Sequence, residues 1–395
     1  MPNLLPKSVN SETKHKKETM TSFSVLRNFT SIALTAFCAI GVPGAIAQTS
    51  TYTYSVTDLG VLPNQKDSSS KPAALNNQTQ VAGTAGTSAF IYDKNGKGMQ
   101  DLGKDSFDST ARGFGINSLG QVVGDSTFGQ LQLSHAAMFV NGSAVDLGTL
   151  KRVGNFSRAN GINTSSQAVG FASDQRDGQN SRAFIINTTS RFSRMTDLGT
   201  LGGPSAQAWG INDSGFVTGN AQTSGQITVS QVSHAFIWNA KTGMLDLGTI
   251  GGDSSYGTSI NEKNHVAGYS TIDTSGNRVH AFLYDGKQMV DLGTLSGAAL
   301  DLDYSYALAV NVNDQVVGYT YLPSGDGPWS VAFVYSNGLM VNLNDLIGDA
   351  SKNYRLDCAT GINDKGEIVV IAYNNKAGAY HAVLLTPTSS VPPQK

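Results

Sequence analysis

The sequence predicts an all-β protein, a seven-bladed β-propeller, and three observations support this fold. Three short patterns recur in a fixed order along the chain of 395 residues. Each pattern occurs seven times with a spacing of about 47 residues, between the common repeat lengths of propellers. The chain also starts and ends part-way through a repeat. Its 44 glycines and 14% charged residues suit strands joined by many tight turns.

The first pattern is a small residue, an aliphatic residue and an asparagine. It reads Ala74-Leu75-Asn76, Gly115-Ile116-Asn117, Gly161-Ile162-Asn163, Gly210-Ile211-Asn212, Ser259-Ile260-Asn261, Ala309-Val310-Asn311 and Gly361-Ile362-Asn363. A glycine follows each asparagine at a distance of seven residues, except in the last copy, where Val370 stands instead. Because little volume is free along the central channel of a propeller, we expect these small residues to mark the innermost strand of each blade.

A tight hairpin is expected after each asparagine. The third residue after it is Thr79, Gly120, Ser166, Gly215, Asn264, Asp314 or Gly366. Five of these seven are Gly, Asn or Asp, which tolerate the positive φ of a short β-turn. The pattern therefore predicts that the first and second strands of each blade are adjacent and antiparallel.

The second and third patterns supply the outer strands. The "HAF" pattern predicts a third strand, with anchors at Phe90, Phe139, Phe184, Phe236, Phe282, Phe333 and Val383. In this alignment His135 falls two residues too early. The "DLG" pattern predicts a fourth strand, at Asp58, Asp101, Asp146, Asp197, Asp246 and Asp291, with a degraded copy at Asn342-Leu343. We expect each phenylalanine to pack between neighbouring blades, where burial contributes about 1.5–3 kcal/mol.

The two ends of the repeat region predict how the ring closes. The segment "TYTYSVTDLG" (51–60) is a fourth strand without the other three, and "YHAVLLTP" (380–387) is a third strand without a fourth. The N-terminal strand can complete the last blade and so remove the exposed edge. A β-solenoid is the alternative fold. In a solenoid, however, incomplete repeats at the two ends would not pair with each other.

The N-terminus has the features of an export signal. After Met20, a possible true start, Arg27 precedes an apolar stretch, and Ala45-Ile46-Ala47 fits a cleavage site. We therefore predict a signal peptide at 1–47, a single propeller domain at 48–387 and a tail at 388–395. The mature protein is expected in the periplasm or secreted, with no membrane anchor, because no later apolar run is long enough to span a bilayer.

Composition excludes several kinds of partner. Removal of 1–47 leaves 22 basic and 27 acidic residues without a basic cluster, which argues against nucleic-acid binding. Cys358 would be the one cysteine left, too few for a disulfide or a cysteine metal cage. We predict no cofactor and no metal, and a monomer.

The repeats resemble a known family. "HAFIW…DLGTIGG", "HAFLY…DLGTLSG" and "GIN..G.VVG" are similar to the HAF-repeat family of extracellular bacterial proteins, over residues 51–385. The resemblance implies export and carries no catalytic residues to this chain.

The repeated polar residues are interpreted as structural. His234, His280 and His381 stand at equivalent places on different blades and cannot converge on one metal ion. The repeated aspartates are expected to accept backbone hydrogen bonds in turns. Ser126, in "GDSTFG", also occupies a repeat position and has no identifiable general base.

A binding site is expected among the residues that do not repeat. The variable segments 171–181, 220–233, 269–279 and 319–330 share one face with the loops that lead into the innermost strands. The candidate ligand-binding residues on that face are Arg112, Arg158, Trp209, Asp253, Tyr256, Asp303, Tyr304, Tyr306 and Trp329. They suit an extracellular glycan, or a peptide or protein, and predict a non-catalytic binding or scaffold protein. The alternative is a secreted propeller enzyme, a carbohydrate hydrolase or lyase.

Overall fold

The computed structural model describes most of the repeat region. Described are residues 53–63, 69–96, 98–103, 110–129, 133–174, 180–190, 192–223, 232–276, 278–295, 304–322 and 329–388. The chain divides into 1–50, which lies outside the described residues, and 51–395. The proposed signal peptide and tail therefore stay predictions. Within the described part, no helix has the length and apolar character needed to cross a membrane.

The described strands form seven antiparallel sheets of four strands each, as a propeller requires. Blade 1 consists of β2 (Ser70–Leu75), β3 (Gln80–Ala85), β4 (Ser88–Asp93) and β5 (Gly98–Asp101). Blade 2 consists of β6 (Ala111–Ile116), β7 (Val122–Phe128), β8 (Leu133–Val140) and β9 (Ser143–Asp146). Blade 3 consists of β10 (Phe156–Ile162), β11 (Gln167–Ser173), β12 (Arg182–Asn187) and β13 (Thr196–Asp197). Blade 4 consists of β14 (Gly202–Ile211), β15 (Val217–Thr223), β16 (Ser233–Asn239) and β17 (Gly243–Asp246).

The remaining blades follow in chain order. Blade 5 consists of β18 (Ser255–Ile260), β19 (Val266–Thr271), β20 (Val279–Tyr284) and β21 (Met289–Asp291). Blade 6 consists of β22 (Ser305–Val310), β23 (Val316–Leu322), β24 (Trp329–Ser336) and β25 (Leu339–Asn342). Blade 7 consists of β26 (Tyr354–Ile362), β27 (Ile368–Asn374), β28 (Ala379–Pro387) and β1 (Tyr54–Asp58). The degraded "DLG" copy ends β25, where Asn342 pairs with Phe333, and two 3₁₀ helices, Leu343–Leu346 and Gly348–Lys352, follow it between blades 6 and 7.

Closure of the ring by the N-terminal strand is confirmed. β1 pairs antiparallel with β28, from Tyr54 opposite Pro387 to Asp58 opposite Val383. The Asp58 carboxylate also accepts hydrogen bonds from Asn374 Nδ2 (2.8 Å) and Tyr354 Oη (3.1 Å). The sheet of blade 7 is thus assembled from both ends of the repeat region, with no bare edge on β28.

The small residues of the first pattern lie where innermost strands of neighbouring blades meet. A Cβ added to Gly115 would stand 2.9 Å from Gly161 Cα, and one added to Gly210 would stand 3.3 Å from Ser259 Cα. Larger side chains would push the innermost strands apart. The expectation of a crowded channel is therefore confirmed.

The later glycine of each repeat makes room for the "HAF" phenylalanine. Gly219 pairs with Phe236 across β15 and β16, and a Cβ there would lie 1.9 Å from the Gln207 carbonyl oxygen and 2.9 Å from the Phe236 ring. Phe236 and its counterparts on four other blades are fully buried. In blade 7 both members of the pair change together, because Val370 faces Val383.

One strand assignment in the sequence analysis was wrong. In blade 2, Gly124 pairs with Ala137, and Ala137 pairs with Asp146, so Ala137 and not Phe139 occupies the "HAF" phenylalanine position. His135 therefore stands in the same place as His234 and is not displaced. The sequence misled because Phe139, two residues later, is itself buried and resembles the missing anchor.

The seven asparagines of the first pattern form a closed hydrogen-bonded circle, here called the asparagine ring. Each Nδ2 donates to the backbone carbonyl of the ring asparagine in the next blade, at 2.9–3.2 Å, and Asn363 completes the circle by donating to Asn76. Each Oδ1 accepts from the backbone N–H four residues later, at 2.9–3.0 Å. One side chain thus stabilises its own hairpin and connects it to the next blade.

The predicted hairpin turns are confirmed at all seven positions. The third residue after each ring asparagine has φ between 57° and 80°. Thr79 and Ser166 adopt this conformation although they are not Gly, Asn or Asp. Both gain side-chain hydrogen bonds to other blades, Thr79 Oγ1 to Glu367 Oε2 (2.7 Å) and Ser166 Oγ to Gln121 Oε1 (2.9 Å).

Buried serines link consecutive blades at the crossing between them. Ser255 Oγ donates to the Gly248 carbonyl (2.5 Å) and accepts from the Ala235 backbone N–H (2.8 Å). Ser70, Ser157 and Ser305 make the same pair of bonds on other blades. The start of one blade is in this way attached to the third and fourth strands of the blade before it.

Replacement of one such serine should measurably destabilise the ring. Ser255→Ala leaves a buried carbonyl and a buried N–H without partners, so the free energy of unfolding should fall by about 2 kcal/mol. Denaturant unfolding followed by circular dichroism measures the change. Ser143→Ala, at an exposed position on β9, is the control and should change stability by less than about 0.5 kcal/mol. Equal effects of the two variants would contradict this role for Ser255.

Candidate functional site

The repeated histidine–aspartate pairs occupy the outer strands and serve the fold. His135, His234, His280 and His381 each place Nδ1 within 2.8–3.0 Å of the carboxylate of Asp146, Asp246, Asp291 and Asp58, respectively. Each of these four carboxylates also accepts a hydrogen bond from the backbone N–H of the glycine two residues later, at 2.7–2.8 Å. In blade 3, Arg182 replaces the histidine and pairs with Asp197 at 3.0 Å. The structural interpretation of both residues is confirmed.

These contacts make stability depend on pH. Burial raises the pKa of Asp291, but the hydrogen bonds from His280 and Gly293 outweigh it, and the pKa lies below its ordinary value. A carboxylate with a depressed pKa contributes stability above the ordinary pKa of about 4, and this contribution is lost as the pH falls through the folded-state value. Asp291→Ala should therefore destabilise the protein at pH 7 and much less at about pH 3. Thermal unfolding at both pH values tests this, and a pH-independent difference would contradict it.

Ser126 is also a structural residue. It pairs with His135 and Ala111 on neighbouring strands, is buried, and its Oγ donates to the Thr110 carbonyl at 3.4 Å.

Six of the nine candidate ligand-binding residues lie at the end of the channel where the innermost strands begin, here called the top face. Four of them lie at one repeat position, five residues before a ring asparagine. Around the ring this position is occupied by Lys71, Arg112, Arg158, Gln207, Tyr256, Tyr306 and Cys358. Blades 1 to 3 thus contribute cations, and blades 5 and 6 contribute tyrosines.

Arg158 lies among three aromatic rings on three blades. Its guanidinium carbon is 4.6 Å from the Phe114 ring centroid, 5.1 Å from that of Phe171 and 5.2 Å from that of Trp209. The predicted residues Arg158 and Trp209 are thereby brought together. Burial lowers the pKa of Arg158 to about 10, so the side chain keeps its charge at neutral pH.

Arg112 lies beside this group and is ion-paired. Its Nε donates to Asp125 Oδ1 at 2.9 Å, and its Nη2 bonds the other carboxylate oxygen. The Asp125 side chain is only 2% exposed, whereas that of Arg112 is 41% exposed. Arg112, Phe114, Asp125, Arg158, Phe171 and Trp209 are called the arginine cluster below.

Six tyrosines form a continuous row on blades 5 and 6. Tyr256 stacks on Tyr269 (4.9 Å between centroids), Tyr269 contacts Tyr306 edge-on (5.0 Å), and Tyr306 stacks on Tyr319 (4.9 Å). Tyr319 contacts Tyr321, which contacts Tyr304. These six residues are called the tyrosine row, and three of them were predicted from the sequence.

The phenols of Tyr269, Tyr306 and Tyr319 are neutral at pH 7. Burial, followed by the neighbouring tyrosines, raises the pKa of Tyr269, Tyr306 and Tyr319 above the ordinary value. Among the described residues, no hydroxyl of the row has a hydrogen-bond partner. The row therefore offers flat apolar rings together with free polar groups, which is the composition of a site for an amphipathic ligand.

The remaining candidates lie apart from these two groups. Trp329 begins β24, is 43% exposed and stacks on Arg355 of blade 7, 4.4 Å from ring centroid to guanidinium carbon. Arg355 is in turn fixed by Asp357 through two hydrogen bonds of 2.7 and 2.9 Å. Asp253 is exposed in the loop before β18. Asp303 lies outside the described residues.

Sequence reasoning missed the partners of the predicted residues, although a signal for them exists. The residue five before each ring asparagine faces the residue eight after it across the hairpin. This register pairs Arg112 with Asp125, Arg158 with Phe171, Tyr256 with Tyr269, and Tyr306 with Tyr319. Application of this spacing to the sequence would have found Asp125, Phe171, Tyr269 and Tyr319.

A cavity of about 210 Å³ lies at the opposite end of the channel, here called the bottom face, and was not predicted. Its wall consists of the aliphatic residues of the first pattern, ring asparagines and the carboxylates of Asp213, Glu262 and Asp364. These carboxylates accept backbone N–H bonds from neighbouring blades: Thr164 to Asp213 (2.8 Å), Asp213 to Glu262 (2.9 Å) and Val312 to Asp364 (2.9 Å). They therefore join blades to one another.

The acidic residues of the bottom face are close enough to influence one another. Burial, followed by the charges of Asp213 and Asp364, raises the pKa of Glu262. Within the ranges that the structure describes, however, no three His, Cys, Asp or Glu side chains are placed to hold a metal ion. The three carboxylates of the cavity wall already accept backbone hydrogen bonds that join the blades, so we assign them a structural role.

Comparison with known proteins supports the fold. No family model matches the chain, and no curated protein matches it in sequence. Among solved structures, the β-propeller domain of the Trilobed protease from Pyrococcus furiosus, described as having an open velcro topology, is similar with a TM-score of 0.51 and 9% identity, over 86% of this chain and 96% of that one.

Two further solved structures show weaker similarity. A chain of the mitotic checkpoint complex has a TM-score of 0.40 and 12% identity, over 90% of this chain and 99% of that one. Dipeptidyl peptidase 4 of Porphyromonas gingivalis has a TM-score of 0.36 and 10% identity, over 84% of this chain and 60% of that one. The similarity to the Pyrococcus furiosus propeller domain, at 9% identity, supports the propeller fold and no activity.

Proposed function

We propose that this protein is an exported, non-catalytic binding protein of the HAF-repeat type that holds a glycan against its top face. The observation that carries the proposal is the tyrosine row. It presents a continuous run of aromatic rings across two blades, with hydroxyls that have no partner among the described residues. Sugar rings have apolar faces and peripheral hydroxyls, and both can be matched by such a surface.

The position of the row within the repeat supports the same proposal. The repeated polar residues are engaged in holding the fold, as the asparagine ring and the histidine–aspartate pairs show. The tyrosines lie where the seven repeats differ from one another. Variation at one face of a regular scaffold is typical of a binding surface.

Two of the described carboxylates at the top face favour binding over hydrolysis. Asp125 and Asp357 are each held by an arginine, Arg112 and Arg355, through two hydrogen bonds or contacts. A glycosidase needs one carboxyl group that can donate a proton and a second that is free to act as base or nucleophile. Carboxylates engaged by guanidinium groups suit neither role.

A glycan array probed with the labelled protein tests the proposal. We expect binding to polysaccharide or oligosaccharide spots, and we expect Tyr306→Ala to weaken it at least about tenfold, since loss of one stacked ring costs an interface roughly 1.4 kcal/mol or more. Tyr284→Ala, on the outer half of blade 5, is the control and should bind as the wild type does. Absence of binding to every glycan, or binding to a peptide library instead, would overturn the proposal.

A further inference from the structure

The top face is electrostatically uneven, although the protein as a whole is acidic. Lys71, Arg112 and Arg158 stand at equivalent positions on three consecutive blades. Among the described residues, Asp125 is the one carboxylate that bonds any of them. This sector belongs to the top face together with the tyrosine row. The three residues and Asp125 together carry more positive than negative charge.

Arg158 is the more buried of the two cations, Lys71 and Arg158, that no described carboxylate bonds. Its Nε donates to Asn160 Oδ1 at 2.8 Å, and no other hydrogen bond from its guanidinium reaches a described residue. Three aromatic rings lie within 4.6–5.2 Å of its guanidinium carbon. The two Nη atoms of Arg158 have no acceptor among the described residues, so they can both donate to an oxyanion, and such charge-assisted bonds are stronger than bonds between neutral groups.

We propose that the ligand of the top face is an acidic polysaccharide whose carboxylates bind Arg158, with Arg112 and Lys71 beside it. This inference rests on the proposed function and adds the chemical class of the glycan. The tyrosine row contacts sugar rings, and the basic sector contacts the uronate groups of the same chain. Arg112 remains ion-paired with Asp125, which keeps its guanidinium in place while part of it stays exposed.

Two forms of one polymer test the inference. Polygalacturonate carries a carboxylate on every sugar, whereas its fully methyl-esterified form has the same backbone without charge. Isothermal titration with the full chain should give an affinity at least about tenfold higher for the charged form, with a marked decrease between low and high salt. Arg158→Gln should lower the ratio of the two affinities several-fold, because the guanidinium that binds the carboxylates is lost.

Two further variants keep the result interpretable. Lys71→Gln replaces an exposed residue, so it should fold normally and still reduce affinity for polygalacturonate. Arg182→Gln removes a guanidinium from the outer strands of blade 3 and should leave the preference intact. If the wild type binds both polymers with equal affinity, and Arg158→Gln changes neither affinity, the inference is overturned and the proposed function stands. Failure to bind either polymer or any arrayed glycan would overturn both.

Discussion

Deletion of residues 48–58 from the full chain should remove most of the stability of the propeller. β1 pairs with β28 at five positions, and Tyr54 and Val56 pack into the core of blade 7. Loss of these strand hydrogen bonds alone is worth about 5 kcal/mol, a large part of the 5–15 kcal/mol that stabilises a typical protein. We expect a large drop in the thermal midpoint and, because the edge of β28 becomes free, concentration-dependent association.

A rearranged chain provides the matched control. The backbone N–H of Thr388 donates to the Thr53 carbonyl at 2.9 Å, so the two strands can be joined by a tight Asn-Gly turn. A permuted chain in which residues 53–63 follow Thr388 contains the same strand with different connectivity, and it should regain the stability of the wild type. Differential scanning calorimetry and size-exclusion chromatography compare the three chains. Full stability of the deleted chain would show that β1 does not close the ring.

The second large effect is expected from the asparagine ring. Asn212→Ala removes the bonds from Nδ2 to the Asn261 carbonyl (3.0 Å) and to Asn264 Oδ1 (2.8 Å), and leaves the Phe216 N–H without its acceptor. Because these groups are buried or half-buried, the free energy of unfolding should fall by about 3–5 kcal/mol. Asn375→Ala, which loses one exposed hydrogen bond, should cost less than about 1 kcal/mol.

A charged substitution at the same place should also destabilise the protein more at neutral pH than in acid, because it introduces a carboxyl group that has no donor to stabilise its ionised form. In Asn212→Asp, an ionised carboxylate faces the Asn261 carbonyl, which cannot donate to it. The folded-state pKa of this new group should lie above about 4, so the variant loses stability as the pH rises and recovers part of it in acid. Urea unfolding at about pH 7 and pH 4 measures this; a variant as stable as the wild type at neutral pH would contradict the role of the ring.

The fold could be predicted because repetition averages out local ambiguity. Seven copies of one hairpin identified the turn positions, even where Thr79 and Ser166 stand at positive φ. The incomplete first and last repeats predicted the pairing of β1 with β28. The one misassigned strand, in blade 2, lies where a copy departs from the pattern and the apolar residue two places on, Phe139, imitates the anchor.

The site could be predicted only in part, because its residues do not repeat. The sequence indicated the correct end of the channel for Arg158, Trp209, Tyr256 and Tyr306, since these precede the innermost strands. It did not show that Arg158 is surrounded by aromatic rings or that tyrosines of two blades contact each other, because both depend on contacts between blades. The asparagine ring was likewise invisible, since each bond joins residues on separate blades.

The central claim is that the repeated residues build the ring and that the non-repeating residues of the top face bind the ligand. Amide hydrogen exchange of the full chain with and without polygalacturonate, or with whichever glycan the array identifies, tests it most directly. We predict that the glycan slows exchange at the start of the innermost strands, in β6, β10, β18 and β22. Exchange in the hairpins around the asparagine ring should not change. Protection confined to the bottom face, around Asp213, Glu262 and Asp364, would contradict the claim.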